Sequence, residues 1–222
     1  MNAAPSGDLL HAQVRALAAP DAATRTAALA TLVGAGRAAT GALLEALRGA
    51  VPAAMPVGQG VRALVARALG EIGDPAAADA LAALLADADP AVRGRAAQGL
   101  ALAGDARSLD ALAATLDDLP DPLHHPATVA TDLLVARGRA ALPAAAALLD
   151  AAGADTRERA WYVVRSIAAT LPPGEARDAP PLGQGFEPRG APAAQAGSIA
   201  AWRGWIERIA ARADGTAPGP PR

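Results

Sequence analysis

The sequence predicts an all-α protein: an α-solenoid (superhelix) of four to five antiparallel helical hairpins with a C-terminal capping helix. The first observation behind this fold class is composition. Hydrophobic residues make up 52% of the 222 residues but aromatic residues only 2%, so the apolar mass is mainly Ala, Leu and Val. Ala and Leu favour closely packed helices, whereas sheets favour β-branched and aromatic residues. The other two observations are an internal repeat and the turn residues that bound its helices.

The repeat appears when residues 61–85 (VRALVARALGEIGDPAAADALAALL) are placed over residues 92–116 (VRGRAAQGLALAGDARSLDALAATL), at a constant offset of 31 residues. Identical residues recur at equivalent positions, among them Val61 and Val92, Arg62 and Arg93, Gly73 and Gly104, Asp74 and Asp105, and Leu85 and Leu116. A period of this length is typical of solenoids, in which each unit buries its apolar face against the next.

Each repeat has the pattern of a helical hairpin. Apolar residues over 61–72 recur at intervals of three or four, which predicts a first helix. Gly73 suits the left-handed conformation that ends a helix, Asp74 suits an N-cap and Pro75 the first helical position. A second helix is predicted over 75–86, followed by a turn that ends in another Asp-Pro pair. The same frame extends in both directions with looser spacing, and further helices are predicted over 21–33, 39–47, 126–137, 141–150 and 155–169.

Residues 89–105 (DPAVRGRAAQGLALAGD) carry the pattern D-P-x-V-R-x-x-A-A-x-x-L-x-x-x-G-D. This pattern resembles a HEAT repeat, and most closely the short bacterial form called the phycobilisome-lyase HEAT-like repeat. The resemblance covers about residues 20–170. It implies an α-solenoid that works by contact with another molecule, since repeats of this kind occur in scaffolds, bilin lyases and DNA-repair proteins.

Composition divides the chain into four parts. Residues 1–171 are predicted to form the HEAT-like solenoid. The stretch 172–196 is rich in Pro and Gly, which predicts a linker or loop. Residues 197–213 have apolar residues at intervals of three and four, which predicts a helix that caps the open end of the solenoid. The tail, 214–222, is predicted to be disordered.

Charge and cysteine content argue against several classes of protein. The net charge is −2 at pH 7, whereas dedicated nucleic-acid binders usually carry a strong basic excess. Cysteine is absent, which excludes disulfides, thiolate zinc sites and cysteine nucleophiles and suits a cytoplasmic protein. The N-terminus lacks the pattern of a signal peptide, and the apolar stretches are interrupted short of the roughly 20 residues that span a bilayer. We therefore expect no membrane association.

The sequence offers no clear catalytic constellation. No serine lies in a G-x-S-x-G motif, and no Gly-rich segment has the strand–loop–helix context of a phosphate loop. His124 and His125 lie near Asp117, Asp118 and Asp121, so a divalent-metal site is an alternative to a solvated helix start. We expect no metal, no cofactor and no enzymatic activity. A bilin-lyase activity is the enzymatic alternative that the resemblance implies.

Arginines recur near the start of the first helix of each hairpin, at Arg25, Arg62, Arg93 and Arg157. They predict either a basic stripe that grips phosphates or an acidic partner, or a structural ladder in which each Arg binds an Asp in a turn. An Arg fork suits carboxylates and turn carbonyls. The structural interpretation is favoured, because Ala127 interrupts the series. The candidate acids are Asp21, Asp74, Asp89 and Asp105.

The function that follows is a non-catalytic scaffold or adaptor that binds a protein partner on the concave face of the solenoid. Exposed residues of the first helices are the expected contact residues: Arg62, Arg67, Arg93, Arg95 and Gln98. The alternatives are nucleic-acid binding through the Arg ladder and a role as an accessory to a lyase-type enzyme. The sequence makes no prediction of the partner's identity or of the oligomeric state.

Overall fold

The computed structural model describes residues 6–49, 59–176, 178–181 and 186–213. These residues form helices, turns and bends, and none of them lies in a strand. The predicted all-α solenoid is confirmed. The chain divides into two compact units, Met1–Leu119 and Pro120–Arg222. The tail predicted to be disordered lies outside the described residues.

The helices of the first unit are arranged as stacked hairpins. They are α1 (Gly7–Ala16), α2 (Ala22–Ala35), α3 (Thr40–Leu47), α4 (Gln59–Ile72), α5 (Ala78–Leu84), α6 (Pro90–Leu102) and α7 (Ser108–Ala114). Single 3-10 turns, Gly36–Ala39 and Pro75–Ala77, lead into α3 and α5. The first helices of successive hairpins, α2, α4 and α6, pack side by side, and α5 packs against α4 and α6.

The turn residues of the two matching repeats act as the sequence predicts. Asp74 and Asp89 are N-caps, and each carboxylate accepts a hydrogen bond from the backbone N–H two residues later, at 3.1 and 2.9 Å. Gly73 and Gly104 end the first helices with φ values of 65° and 74°, which a residue with a Cβ rarely adopts.

Helices α4 and α6 come into backbone contact at two glycines. A Cβ added to Gly70 would lie 2.7 Å from the Cα of Gly99, and one added to Gly99 would lie 3.0 Å from Cδ1 of Leu81. Leu69 and Leu100, next to these glycines in sequence, are fully buried. The core of the first unit therefore combines large leucines with glycines that allow a close helix approach.

The stretch Ala22–Leu47 is long and apolar enough, by length and composition, to cross a membrane, with a mean hydropathy of 1.4. In the structure Gly36, with φ 58°, separates α2 from the following 3-10 turn and α3. The two α-helices have 14 and 8 residues, fewer than the roughly 20 that span a bilayer. Leu32 and Leu43 from this stretch are fully buried in the first unit.

The second unit is less regular. Its described helices are α8 (Val129–Ala136), α9 (Leu142–Ala146), α10 (Ala154–Thr170), α11 (Pro173–Ala176) and α12 (Ala196–Ala213). Helix α10 packs against α8 and α9, and α12 packs along α9. Arg203 on α12 fastens this contact, since it donates hydrogen bonds to both carboxylate oxygens of Asp150, at 3.0 and 2.7 Å.

An aromatic cluster fills the core between α10 and α12. The ring of Trp161 lies 5.1 Å from that of Phe186 and 5.0 Å from that of Trp202, and Trp202 lies 5.4 Å from Trp205. Trp202 and Trp205 are almost completely buried. The apolar spacing that predicts a helix over 197–213 is thus the buried stripe of α12.

Several helix boundaries differ from the predictions. Helix α8 begins at Val129 rather than near Pro126, because Thr128 caps it and exchanges hydrogen bonds with Thr131. Helix α10 begins at Ala154, with Gly153 as its N-cap, one residue before the predicted start. Helix α1 was not predicted, and the described residues of the Pro/Gly-rich stretch include α11 and a 3-10 turn, Pro192–Gln195.

Candidate functional site

The five predicted contact residues lie on α4 and α6 and fall into two groups. Arg62 and Arg93 occupy the repeated arginine position, and their guanidinium groups bind carboxylates of the same unit. Arg67, Arg95 and Gln98 lie further along the same helices and take part in other contacts. The structure therefore separates Arg62 and Arg93, which bind carboxylates of turns, from the other three residues.

The two structural arginines form equivalent ion pairs. Nη2 of Arg62 lies 2.5 Å from Oδ2 of Asp87. Arg93 binds Asp118 through two parallel hydrogen bonds, Nε to Oδ2 at 3.0 Å and Nη2 to Oδ1 at 2.8 Å. In each pair the Asp follows the Arg by 25 residues and lies in the turn after the second helix of the hairpin. We call each such Arg–Asp pair a rung.

The same arginine position also binds backbone carbonyls of the preceding turn. Nη1 donates to the carbonyls six and five residues earlier, at distances of 2.7 to 3.1 Å. These carbonyls belong to Ala19 and Pro20 for Arg25, to Asp87 and Ala88 for Arg93, and to Ala151 and Ala152 for Arg157. One guanidinium thus joins the preceding turn to the first helix, a role for which its planar fork of donors is suited.

The structural interpretation of the Arg ladder is confirmed for Arg62 and Arg93, whereas Arg25 and Arg157 bind backbone carbonyls. The predicted acids are wrong. Asp21, Asp74 and Asp89 instead accept hydrogen bonds from backbone N–H groups in the first turns of their own helices. Asp105 binds the side chain of Arg107, which lowers the pKa of Asp105 to about 2. Asp74 also accepts a hydrogen bond from Oγ1 of Thr40 at 2.8 Å. The ladder uses the aspartates that follow the second helices.

The remaining contact residues belong to a surface that we call the α4–α6 patch: Arg67, Glu71, Arg95, Gln98 and Leu102. Nε of Arg67 lies 2.6 Å from Oε1 of Glu71, and Nη1 of Arg95 donates to Oε1 of Gln98 at 3.0 Å. Burial and the nearby charge of Arg67 lower the pKa of Arg95. The patch holds two guanidinium groups and one carboxylate, so it carries an excess of positive charge.

Exposure within the patch varies from residue to residue. Gln98 was expected to be exposed, but only 7% of it is, because α4 and α6 pack closely at the neighbouring Gly99. Leu102 is 53% exposed, and positions 95, 98 and 102 lie on one face of α6. The patch thus offers a partly buried cation beside an exposed apolar side chain. Sequence periodicity alone does not single out Leu102 or Glu71.

The adjacent histidines do not act together. Nδ1 of His124 lies 2.7 Å from Oδ2 of Asp121, whereas Nε2 of His125 lies 3.1 Å from Oε2 of Glu158. Asp118, named with them in the metal alternative, pairs with Arg93. The partner of His125 lies more than thirty residues later in the chain, so spacing in the sequence could not identify it.

The family model for HEAT repeats matches residues 59–131, which include the two repeats, both rungs and the α4–α6 patch. Residues 59–131 are therefore HEAT repeats. In these HEAT repeats the Arg of the Val-Arg pair serves the rungs, and the residues of α4 and α6 further along form the patch. The match does not extend to the phycobilisome-lyase form, which stays a prediction. No curated protein matches the chain.

Proposed function

We propose that this HEAT-repeat protein is a non-catalytic scaffold or adaptor, and that a protein partner binds along the row of first helices, on the face predicted to be concave. HEAT repeats commonly serve as interaction scaffolds, because stacked hairpins present an extended surface. The observation that carries the proposal is the α4–α6 patch, where two arginines and an exposed leucine lie on neighbouring helices.

The charge of the patch favours an acidic partner segment. The side chain of Arg95 donates to the neutral amide of Gln98, so its charge is not matched by that bond. A carboxylate of a partner would form a charge-assisted hydrogen bond with this partly buried guanidinium. Leu102 would contact an apolar side chain of the same segment, and arginines surrounded by apolar contacts are frequent centres of binding energy.

Nucleic-acid binding through the ladder is less well supported. A protein that follows a phosphate backbone needs cations that are free to replace counterions. The guanidinium groups of Arg62 and Arg93 instead bind Asp87 and Asp118, and the net charge of the chain is −2. These arginines are therefore assigned to the fold rather than to a ligand.

The test is a comparison of charge-reversal variants in affinity capture from the native cell, followed by calorimetry on the captured protein. The double variant Arg67→Glu and Arg95→Glu reverses the patch, whereas Arg15→Glu reverses an exposed arginine on α1 of the same unit. We expect wild type and Arg15→Glu to retain the same protein, and the double variant to bind it at least about tenfold more weakly.

Circular dichroism of all three proteins shows whether each variant is folded. Equal binding by the folded double variant would contradict the proposed surface. Capture of DNA alone, with an affinity that falls steeply with salt concentration, would favour the nucleic-acid alternative.

A further inference from the structure

The second unit contains a group of metal-ligand side chains that the proposed function does not use. His125 lies in the turn before α8, and Asp155 and Glu158 lie in the first turns of α10. One donor atom from each of the three lies within 4.8 Å of the others. His125 and Glu158 are each 25% exposed, and Asp155 is exposed.

The fold explains why these three side chains converge. Asp155 and Glu158 are three residues apart on a helix and therefore share one face. Helix α8 packs against α10, and the capping pair Thr128 and Thr131 defines where α8 begins. The turn that carries His125 is thereby placed beside the start of α10.

Two of the donor atoms are buried without a well-aligned hydrogen bond. Nε2 of His125 and Oε2 of Glu158 are screened from solvent, and among the described residues neither makes a hydrogen bond of good geometry, although Oε2 of Glu158 is in ion pairs with His125 and Arg189. They nevertheless lie 3.1 Å apart. Two ligands at roughly 2.0 to 2.2 Å from a tetrahedral zinc ion would lie about 3.3 to 3.6 Å apart. The observed separation is close to that of two ligands of one ion, and such an ion would satisfy both buried atoms.

In the structure the guanidinium group of Arg189 lies beside the carboxylates of Asp155 and Glu158. Nη2 of Arg189 lies 2.8 Å from Oε2 of Glu158 and 3.3 Å from Oδ1 of Asp155. Its charge balances only one of the two carboxylates, whereas a divalent cation beside a neutral imidazole would balance both. The side chain of Arg189 is 63% exposed, so it can move into solvent.

The backbone around Arg189 does not need to move for this exchange. The buried Arg157 donates hydrogen bonds to the carbonyl of Pro188 at 2.7 Å and to that of Gly190 at 3.1 Å. These bonds hold both neighbours of Arg189 beside α10. Displacement of Arg189 therefore requires only rotation of its own side chain.

We propose that His125, Asp155 and Glu158 bind a divalent cation, with zinc as the best match, and that this cation displaces the side chain of Arg189. One imidazole and two carboxylates are suitable zinc ligands, and a three-ligand site leaves a position for water or a further ligand. The site is independent of the α4–α6 patch, so its presence or absence leaves the proposed function unchanged.

The first test is calorimetric titration of the full-length protein with Zn²⁺ alone. His125→Ala removes a ligand, and His124→Ala removes the adjacent imidazole, which lies against Asp121, as a matched control. We expect saturable binding of one ion by wild type and by His124→Ala, and affinity at least about tenfold lower for His125→Ala. Absence of saturable binding to wild type, or equal losses in the two histidine variants, would overturn the proposal.

Two further variants separate a metal site from a purely structural ion network. Glu158→Gln keeps the shape of the side chain but removes its charge, and we expect it to weaken Zn²⁺ binding. Arg189→Ala removes the competing cation, and we expect it to bind Zn²⁺ more tightly than wild type. If Arg189→Ala lowers the melting temperature and binds Zn²⁺ no better than wild type, the group is an ion network and not a metal site. Circular dichroism without metal confirms that each variant is folded.

Discussion

The two units use the same arginine position with different long-range partners. In the first unit Arg93 binds two carbonyls of the preceding turn and the carboxylate of Asp118, and its side chain is 30% exposed. In the second unit Arg157 binds the two equivalent carbonyls, but its other donors reach the carbonyls of Pro188 and Gly190, and it is 5% exposed. The hydrogen bonds to the preceding turn are common to both units. The long-range partner differs, since it is a carboxylate in the first unit and two backbone carbonyls in the second.

The cores of the two units differ in the size of the side chains at their helix contacts. Regular hairpins in the first unit allow α4 and α6 to touch at Gly70 and Gly99. In the second unit the helix that packs along α9 is α12, far along the chain, and the space beside α10 is filled by the rings of Trp161 and Trp202. A regular repeat can use small residues at fixed positions, whereas an irregular junction is filled by large side chains.

The largest expected effect tests whether the buried Arg157 stabilises its unit more than the partly buried Arg93 stabilises the other. Arg157→Ala leaves four backbone carbonyls without their donor, and we expect a loss of about 3 kcal/mol in the free energy of unfolding. Arg93→Ala opens a site that water can reach, and we expect a smaller loss than for Arg157→Ala. Urea denaturation measures both.

Arg165→Ala, on the exposed surface of α10, is the control for the two arginine variants, and we expect a change within about 0.5 kcal/mol. If Arg157→Ala lowers the free energy of unfolding no more than Arg93→Ala does, burial of this arginine makes no difference to its contribution.

The second effect concerns the glycine contact of the first unit. Gly70→Ala places a Cβ against the backbone of Gly99, so α4 and α6 must separate. We expect a net loss of about 2 kcal/mol, because the overpacking exceeds the gain in helix propensity. Gly34→Ala, in α2 with open space at the added Cβ, should instead raise stability by up to about 1 kcal/mol. Equal shifts in the melting temperature of the two variants would show that the close approach is unimportant.

The smallest expected effect is a pH dependence of stability that arises from His11. His11 on α1 lies 2.9 Å from Glu45 on α3, and this hydrogen bond, with one to the carbonyl of Gly7, raises the pKa of His11 above 6.5. The resulting stabilisation is fully present below pH 6.5 and is lost as the pH rises through the higher pKa of the folded protein. Both groups are exposed, so we expect about 0.5 kcal/mol or less.

The contribution of His11 to the free energy of unfolding is the difference between wild type and His11→Ala. The difference in unfolding free energy should be larger at about pH 5.5 than at about pH 8.5. An NMR titration in which the imidazole of His11 has a pKa at or below 6.5 would contradict the prediction.

Local signals in the sequence account for most of the fold. Helix α6 has the predicted start at Pro90, because its Asp-Pro cap depends on adjacent residues. Helix α8 starts later than predicted, because the exchange between Thr128 and Thr131 is not an Asp-Pro or Gly signal. Helix α1, which was not predicted, has weaker signals of the same kind: Ser6 is its N-cap, and buried residues recur at positions 10, 14 and 17.

The candidate site was less predictable than the fold. The Arg side of each rung follows from the repeat, but the Asp side lies 25 residues away and becomes a neighbour only after the hairpin closes. The exposure of Gln98 was predicted wrongly because its burial depends on the contact between two helices. The convergence of His125 with Glu158 likewise depends on packing between α8 and α10.

The rungs have a consequence for how such an array can change in length. The Arg and the Asp of one rung lie within a single 31-residue period, and the carbonyl of Asp87 also serves the Arg of the next period. An in-frame duplication of residues 61–91 would carry a complete rung and present it with the correct acceptor on each side. Gain of a whole period therefore preserves these bonds, whereas an insertion between Arg62 and Asp87 would change the 25-residue spacing on which the rung depends.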